Sequence, residues 1–417
     1  MLLLAALSLP VHAETLADEA PSEVPEEAAN PWDETGFGFG GLPALAYNSD
    51  DGFGYGALAS VYRYDGGTAP YKWSATILLY KTTKKVHVHR VDFDVQDVAG
   101  KPLRAQGRVE FYATRSANFC DVNPQNFCDE TNAVAAADAL GITDETERDD
   151  FVRRYYKVRR IVPNGTLNLK YKVNDLPHKL EILGGWYGEY IVPGDLDGET
   201  GPYPGSRYDE LFPGGEEGMF STLQLGASLD NRDNEPSPTT GYWAEASLRG
   251  GHQYIGSDWD YFGYNLTLRG YVNPVHRLVL TSRLVHDGIV GEVPVTGLGR
   301  PGGSQIYAMW GGQRAGRGTR SNGVLGKARF LGQAEARWTV ANFTVKGVEV
   351  DVTPVAFSDN GWWAEDLSGI GDGRFVTGYG GGLRLGFNKN FIIRADVGMS
   401  PLESNATQVY IDIRNLW

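Results

Sequence analysis

"RFVTGYGGGLRLGFN", residues 374–388, alternates from end to end. Phe375, Thr377, Tyr379, Gly381, Leu383, Leu385 and Phe387 fall on one side of an extended chain, and Arg374, Val376, glycines, Arg384 and Asn388 on the other. A side-chain period of two belongs to a β-strand, and the split in polarity gives that strand one apolar and one wet face. The next run, "FIIRADVGMS" (391–400), sets Phe391, Ile393, Ala395, Val397 and Met399 against Ile392, Arg394, Asp396, Gly398 and Ser400. "QVYIDIRNLW" (408–417) sets Val409, Ile411, Ile413 and Trp417 against Tyr410, Asp412, Arg414 and Leu416. The same pattern recurs in "LRAQGRVEFYA" (103–113) and at 219–230, 242–249, 277–287 and 348–357.

Between these runs lie tight turns, such as "NKN" (388–390) and "NPVH" (273–276), and long connections at about 115–150, 192–217, 289–327 and 359–373. Long and short tend to alternate, as they do between the two ends of an outer-membrane barrel. Counting from Gly36 predicts an all-β fold: a transmembrane antiparallel β-barrel of roughly sixteen strands, an even number as such barrels require. A soluble β-sandwich or propeller also alternates. Against it stand arginines and acids repeated on the polar faces, and aromatics near strand ends in "GWYGEY", "DWDYFGY" and "GWWAE", which suit interfacial girdles.

Composition agrees. The 417 residues include 54 glycines, 22 tyrosines and 10 tryptophans but only 4 methionines, which favours many short aromatic strands joined by turns. The opening "MLLLAALSLPVHA" is too short to span a bilayer and ends in a small-residue site at Ala13, so residues 1–13 read as a secretory signal, though without the usual basic start. Residues 14–35 are acidic, proline-bearing and aperiodic, a disordered periplasmic lead-in, and 36–417 form the barrel domain. Export suits Cys120 and Cys128, the only 2 cysteines, which are expected to form a disulfide; a zinc site takes four ligands, and no further cysteine or nearby histidine supplies them.

Enzymatic motifs find little support. "GFGFGG" (36–41), "GFGYG" (52–56) and "GYGGG" (378–382) imitate dinucleotide loops, but they lie inside β runs instead of opening a helix, and read as sheet curvature and close packing. His87 and His89 share a strand face that continues as Val91, Phe93 and Val95, which points to a rim position more than a metal site. Zincin, serine-elbow and P-loop patterns do not occur. No catalytic residue, cofactor or metal is therefore expected, and nucleic acid is not an expected partner. Much of the net charge of −14 falls in the lead-in and the 115–150 connection, as solvated charge.

In "GRGTRSNGVLGKARFLGQAEARW" (316–338) a long loop with an Arg-Gly pair runs into a strand ending Glu-x-Arg. This resembles the barrel of the bacterial surface antigen superfamily that includes the BamA and TamA outer-membrane assembly proteins. "DNRDNEPSPTTGYW" (230–243), "FSDNG" (357–361), "GGGLRLGF" and "IRADVG" resemble further signatures of that family, and the resemblance covers Gly36 to Trp417. In that family the sixth surface loop folds into the lumen, and its arginine contacts acids on the following strands. The resemblance thus implies a loop anchor of Arg317, Gly318, Glu335 and Asp359. Glu335 lies on the polar face of its strand, and Asp359 continues the face of Glu349 and Asp351.

The sequence departs from the family in two ways. Gly316 and Thr319 stand where the family has an aliphatic residue and an aromatic one, so its apolar latch is missing there. The roughly twenty residues between Ala13 and Gly36 are too few for even one of the family's periplasmic POTRA domains. The resemblance implies a barrel in the outer membrane of a Gram-negative bacterium, in contact with outer-membrane lipid and lipopolysaccharide. There it would take part in outer-membrane protein assembly or export with client proteins and a periplasmic POTRA-like or chaperone partner. A passive pore or structural surface antigen is the alternative, and a secreted soluble β protein the second. An opening seam is expected at the first strand, where Gly38, Gly40, Gly41 and Pro43 weaken pairing, against a closing strand ending at Trp417.

Overall fold

The computed structural model describes residues 35–68, 71–173, 178–235, 237–304, 310–387 and 391–413. The strands are β1 (Thr35–Asn48), β2 (Gly52–Asp65), β3 (Trp73–Thr82), β4 (His87–Val95), β5 (Leu103–Asn118) and β6 (Lys157–Val173). They continue as β7 (Lys179–Pro193), β8 (Gly218–Asp230), β9 (Gly241–Gly251), β10 (Tyr261–Val275), β11 (Leu278–Gly291) and β12 (Ala328–Trp338). The last are β13 (Ala341–Val345), β14 (Val348–Ala364), β15 (Arg374–Phe387), β16 (Phe391–Met399) and β17 (Gln408–Ile413). Short β12 and β13 both pair with β14 and are two pieces of one strand, so the barrel has sixteen strands. Every pairing is antiparallel, and β17 returns to β1 to close the sheet.

The barrel is inside out relative to a soluble protein. On outward positions Phe39 of β1 is 79% exposed and Leu225 of β8 is 64% exposed, whereas inward Arg283 of β11 and Asp396 of β16 are buried. Apolar side chains turned outward around a closed sheet have lipid as their solvent, and closure leaves no strand edge to desolvate. The glycine clusters at 36–41, 52–56 and 378–382 are all strand residues. A Cβ on Gly54 would strike the Tyr80 ring, and one on Gly107 the Phe93 ring, so these glycines make room for aromatic neighbours.

Short turns such as Arg277 or Lys346–Gly347 mark one end of the barrel, and the connections 119–156, 194–217 and 292–327 mark the other. Three details differ from the sequence reading. Strand β14 runs on through Trp362 and Trp363 to Ala364, pairing with Phe330 and Arg329, so its loop begins at 365 and Asp359 is a strand residue. The 119–156 connection carries helices α1 (Glu130–Ala139) and α2 (Glu145–Arg154), capped by the Asp129 and Asp144 carboxylates. The aromatic clusters do not all face lipid: Trp186 and Phe262 point out, but neighbouring Tyr187, Tyr261 and Trp363 are buried, because adjacent strand residues face opposite ways.

Those inward aromatics build a dry plug. Phe119, Tyr208, Phe220, Tyr261, Val293 and Leu325 form one apolar cluster at the loop end, drawn from strands and all three long connections. Deeper toward the turn end, the inner wall of β2–β5 stays half-exposed, with Arg90, Arg104 and Arg108 paired to Asp92 and Asp94. The Cys120–Cys128 disulfide closes a short strap packed in a separate cluster with Ala133, Ala137, Phe151 and Tyr155. Gln125 of that strap donates to the Asp372 carbonyl at 2.8 Å and accepts from Arg374 at 2.8 Å, tying it to the β14–β15 connection across the mouth. Beside it, burial pushes the Asp121 carboxyl up, but the Asn123 N–H, Arg207 and Asn126 outweigh this and hold it below the usual range.

Candidate functional site

From its two ends in that apolar core, the described part of the 292–327 connection reaches down inside the barrel. Arg317 near its tip is fully buried. Its Nε and Nη2 donate to the two Asp359 carboxylate oxygens at 2.9 Å each, and its backbone N–H donates to the same group at 2.9 Å. Nη1 reaches Glu335 at 2.6 Å and Asp396 at 3.2 Å. The guanidinium also lies 3.5 Å from the centre of the Phe357 ring. One planar fork is thus held by carboxylates from β12, β14 and β16, a geometry arginine supports and lysine does not.

The acids are shared outward. Glu335 accepts from Arg337 at 2.7 Å, Asp396 from Arg384 at 2.5 Å, and Arg394 stands 3.6 Å from Asp396 and 3.3 Å from Asp412. Buried charge is tolerable only when paired in this way. The sequence reading named Glu335 and Asp359 and missed Asp396, Arg384 and Phe357. Arg384 and Asp396 did show in the polar faces of the last strands, but parity alone does not say which lumen residues meet.

Glycines bring the loop backbone this close. Gly318 adopts φ +98°, and its N–H donates to the Tyr410 hydroxyl at 3.0 Å. A Cβ there would collide with the Met399 backbone, one at Gly378 with the Arg317 carbonyl, and one at Gly398 would stand 2.8 Å from the Gly318 nitrogen. Gly318→Ala should therefore cost about 1–3 kcal/mol in backbone strain alone, read as a lower temperature for loss of the compact barrel form on unheated gels; unchanged stability would mean the loop does not depend on this approach.

The apolar latch missing at Gly316 and Thr319 is supplied from elsewhere. The Trp310 indole packs over Gly316, where any Cβ would strike it, and makes an edge contact with Trp363 at 4.9 Å. Val285, Ala315, Val324, Leu331 and Val376 complete that cluster. Thr319 instead closes the tip, its hydroxyl donating to the Gly316 carbonyl at 2.6 Å. Nearer the start of the loop a second anchor forms at Asp287, which accepts from both Arg249 Nη atoms, from Arg329 and from the Gly302 N–H.

The other candidates are placed as follows. Gly38, Gly40, Gly41 and Pro43 all lie in β1, in an unbroken ladder with β2 that runs from Thr35 opposite Asp65 to Asn48 opposite Gly52. Toward β17, the pairs among the described residues are Tyr47 with Ile411 and Asn48 with Tyr410. Trp417 lies outside the described residues. His87 and His89 sit on the outward face of β4, rings 5.8 Å apart, with His89 stacked on Phe111.

A barrel of this strand order with its long loop drawn inside can be compared with solved structures. A CdiB from Escherichia coli superposes with TM-score 0.58 at 11% identity, over 91% of this chain and 63% of that one. The crystal structure of BamA from Haemophilus ducreyi lacking POTRA domains 1-3 matches with TM-score 0.51 at 12% identity, over 91% of this chain and 70% of that one. The fold is that of the BamA and CdiB barrels. At these identities the likeness establishes the BamA-like fold and not an activity, and the chain spans less than two thirds of that CdiB. No protein-family model matches the sequence, and no curated protein does.

Proposed function

We propose that the chain is an outer-membrane barrel that takes part in the assembly or export of other proteins, working with a periplasmic POTRA-like or chaperone partner. Its loop end would face the cell surface, its apolar belt would contact outer-membrane lipid and lipopolysaccharide, and clients would enter from the turn end. The BamA-like fold supports this reading. The observation that carries it is the contrast between mouth and wall: the loop end carries a buried apolar core, while the inner wall toward the turn end is charged and half-exposed. A through-pore would have to pass this core. A client admitted from the turn end would leave sideways, and the β1–β17 seam has few described pairs.

The half-exposed wall favours a second reading, a solute pore whose plug moves. Purified barrel in liposomes separates the two. The assembly reading expects little steady single-channel conductance and insertion of added barrel clients that rises when a periplasmic extract is supplied. Steady conductance with no client insertion would sink it, and so would failure of the protein to fractionate with outer membranes.

A further inference from the structure

The inward loop touches more than its anchor. Its Arg314 pairs with Asp412 of β17 at 3.1 Å, and its Gly318 N–H is held by Tyr410 of the same strand. Arg320 grips Glu403, in the β16–β17 connection, through Nε at 2.8 Å and Nη2 at 2.6 Å. One residue on, the Ser321 N–H donates to the Asp50 carboxylate at 2.9 Å. Asp50 belongs to the β1–β2 turn, on the far side of the seam.

We infer that residues 314–321 are a strap that holds the β1–β17 seam shut at its loop end, with Ser321 and Asp50 as the link across the join. The seam itself offers little there: Tyr47 opposite Ile411, Asn48 opposite Tyr410, and a Val409 N–H donating to the Ser49 hydroxyl at 3.0 Å. The strap is rooted on one side through Arg317 to β12, β14 and β16 and through Tyr410 and Asp412 to β17. Its single described bond to the other side is made to a buried carboxylate, where a hydrogen bond is strong, and its loss strips the donor from one of the two carboxylate oxygens. The turn has other ties, from Asn118 of β5 to Asp50 at 2.8 Å and from Lys84 to the Ser49 carbonyl at 2.7 Å. Those ties lie on the β1 side and do not cross the seam. The loop anchor and the gate are thereby parts of one device: β1 parts from β17 only after Ser321 lets go of Asp50.

This inference extends the seam reading above, but its test needs no client, so it fails or stands apart from the assembly proposal. Backbone amide exchange is followed by mass spectrometry on the purified barrel in detergent, on peptides covering residues 45–49 and 408–412. Ser321→Pro, which deletes the donor, and Asp50→Ala, which deletes the acceptor, should each speed exchange in both peptides about tenfold, the worth of one charge-assisted hydrogen bond. Asp50→Asn keeps one neutral acceptor oxygen and should speed exchange less than Asp50→Ala, and Asn118→Ala should stay close to wild type. Peptides from the β2–β3 ladder should not change in any variant. Unaltered seam exchange in both Ser321→Pro and Asp50→Ala would overturn the strap. Equal acceleration in Asp50→Ala and Asn118→Ala with none in Ser321→Pro would also overturn it, by assigning the restraint to β5.

Discussion

Arg317→Ala is expected to destabilise the barrel by about 3–5 kcal/mol, the cost of breaking a buried ion pair from one side. The size follows from what stays behind. Glu335 keeps Arg337 and Arg384, and Asp396 keeps Arg384 and Arg394. Asp359 fares worst, because among the described residues its hydrogen bonds come from Arg317 alone, and it is fully buried. The variant should lose its compact, heat-modifiable gel form at a markedly lower temperature, and protease should reach the 292–327 loop. Arg317→Lys should recover only part, since an ammonium cannot span Asp359 and Glu335 with a planar fork. Adding Asp359→Asn to Arg317→Ala should recover stability by removing the orphaned charge, a coupling that a double-mutant cycle measures. Wild-type stability in Arg317→Ala would end the anchor hypothesis.

The barrel was largely legible in the sequence because a membrane barrel writes its two solvents into alternate residues. Runs such as 374–388 and 391–400 gave both the strands and their inward faces, down to Arg384 and Asp396. Strand ends were less legible, since alternation does not stop where pairing with a neighbour stops; β14 and its loop at 365 show this. Aromatic clusters misled for a related reason: composition marks a girdle, yet Trp362 and Trp363 must face opposite sides. Within the site, Arg317, Glu335 and Asp359 could be brought together by resemblance and parity. Asp396 could not be added, because which inward residues meet depends on strand stagger around a closed sheet, and no single strand records it. The contacts of Trp310 with Gly316 and of Ser321 with Asp50 left no local pattern at all; the second joins residues 271 positions apart.

The remaining large effect concerns the seam itself. Tyr47 and Ile411 stand opposite each other on the outward face, β1 against β17. Opposed residues of an antiparallel pair have Cα atoms about 4.5–5.5 Å apart, which a disulfide can span. A Tyr47→Cys, Ile411→Cys barrel should therefore cross-link on oxidation. If clients leave through this join, the oxidised barrel should show no client insertion above background and regain it with reductant. The native Cys120–Cys128 pair is also open to reduction, so wild type must be carried through both treatments; its activity should not follow the same pattern. Lipid-facing positions keep the new sulfurs out of the lumen, so conductance should not change with oxidation, and a plug-regulated pore predicts that neither activity does. Insertion that persists in the fully cross-linked barrel would exclude the seam as the exit, whatever the strap does, because a covalently closed join can pass nothing sideways at that end.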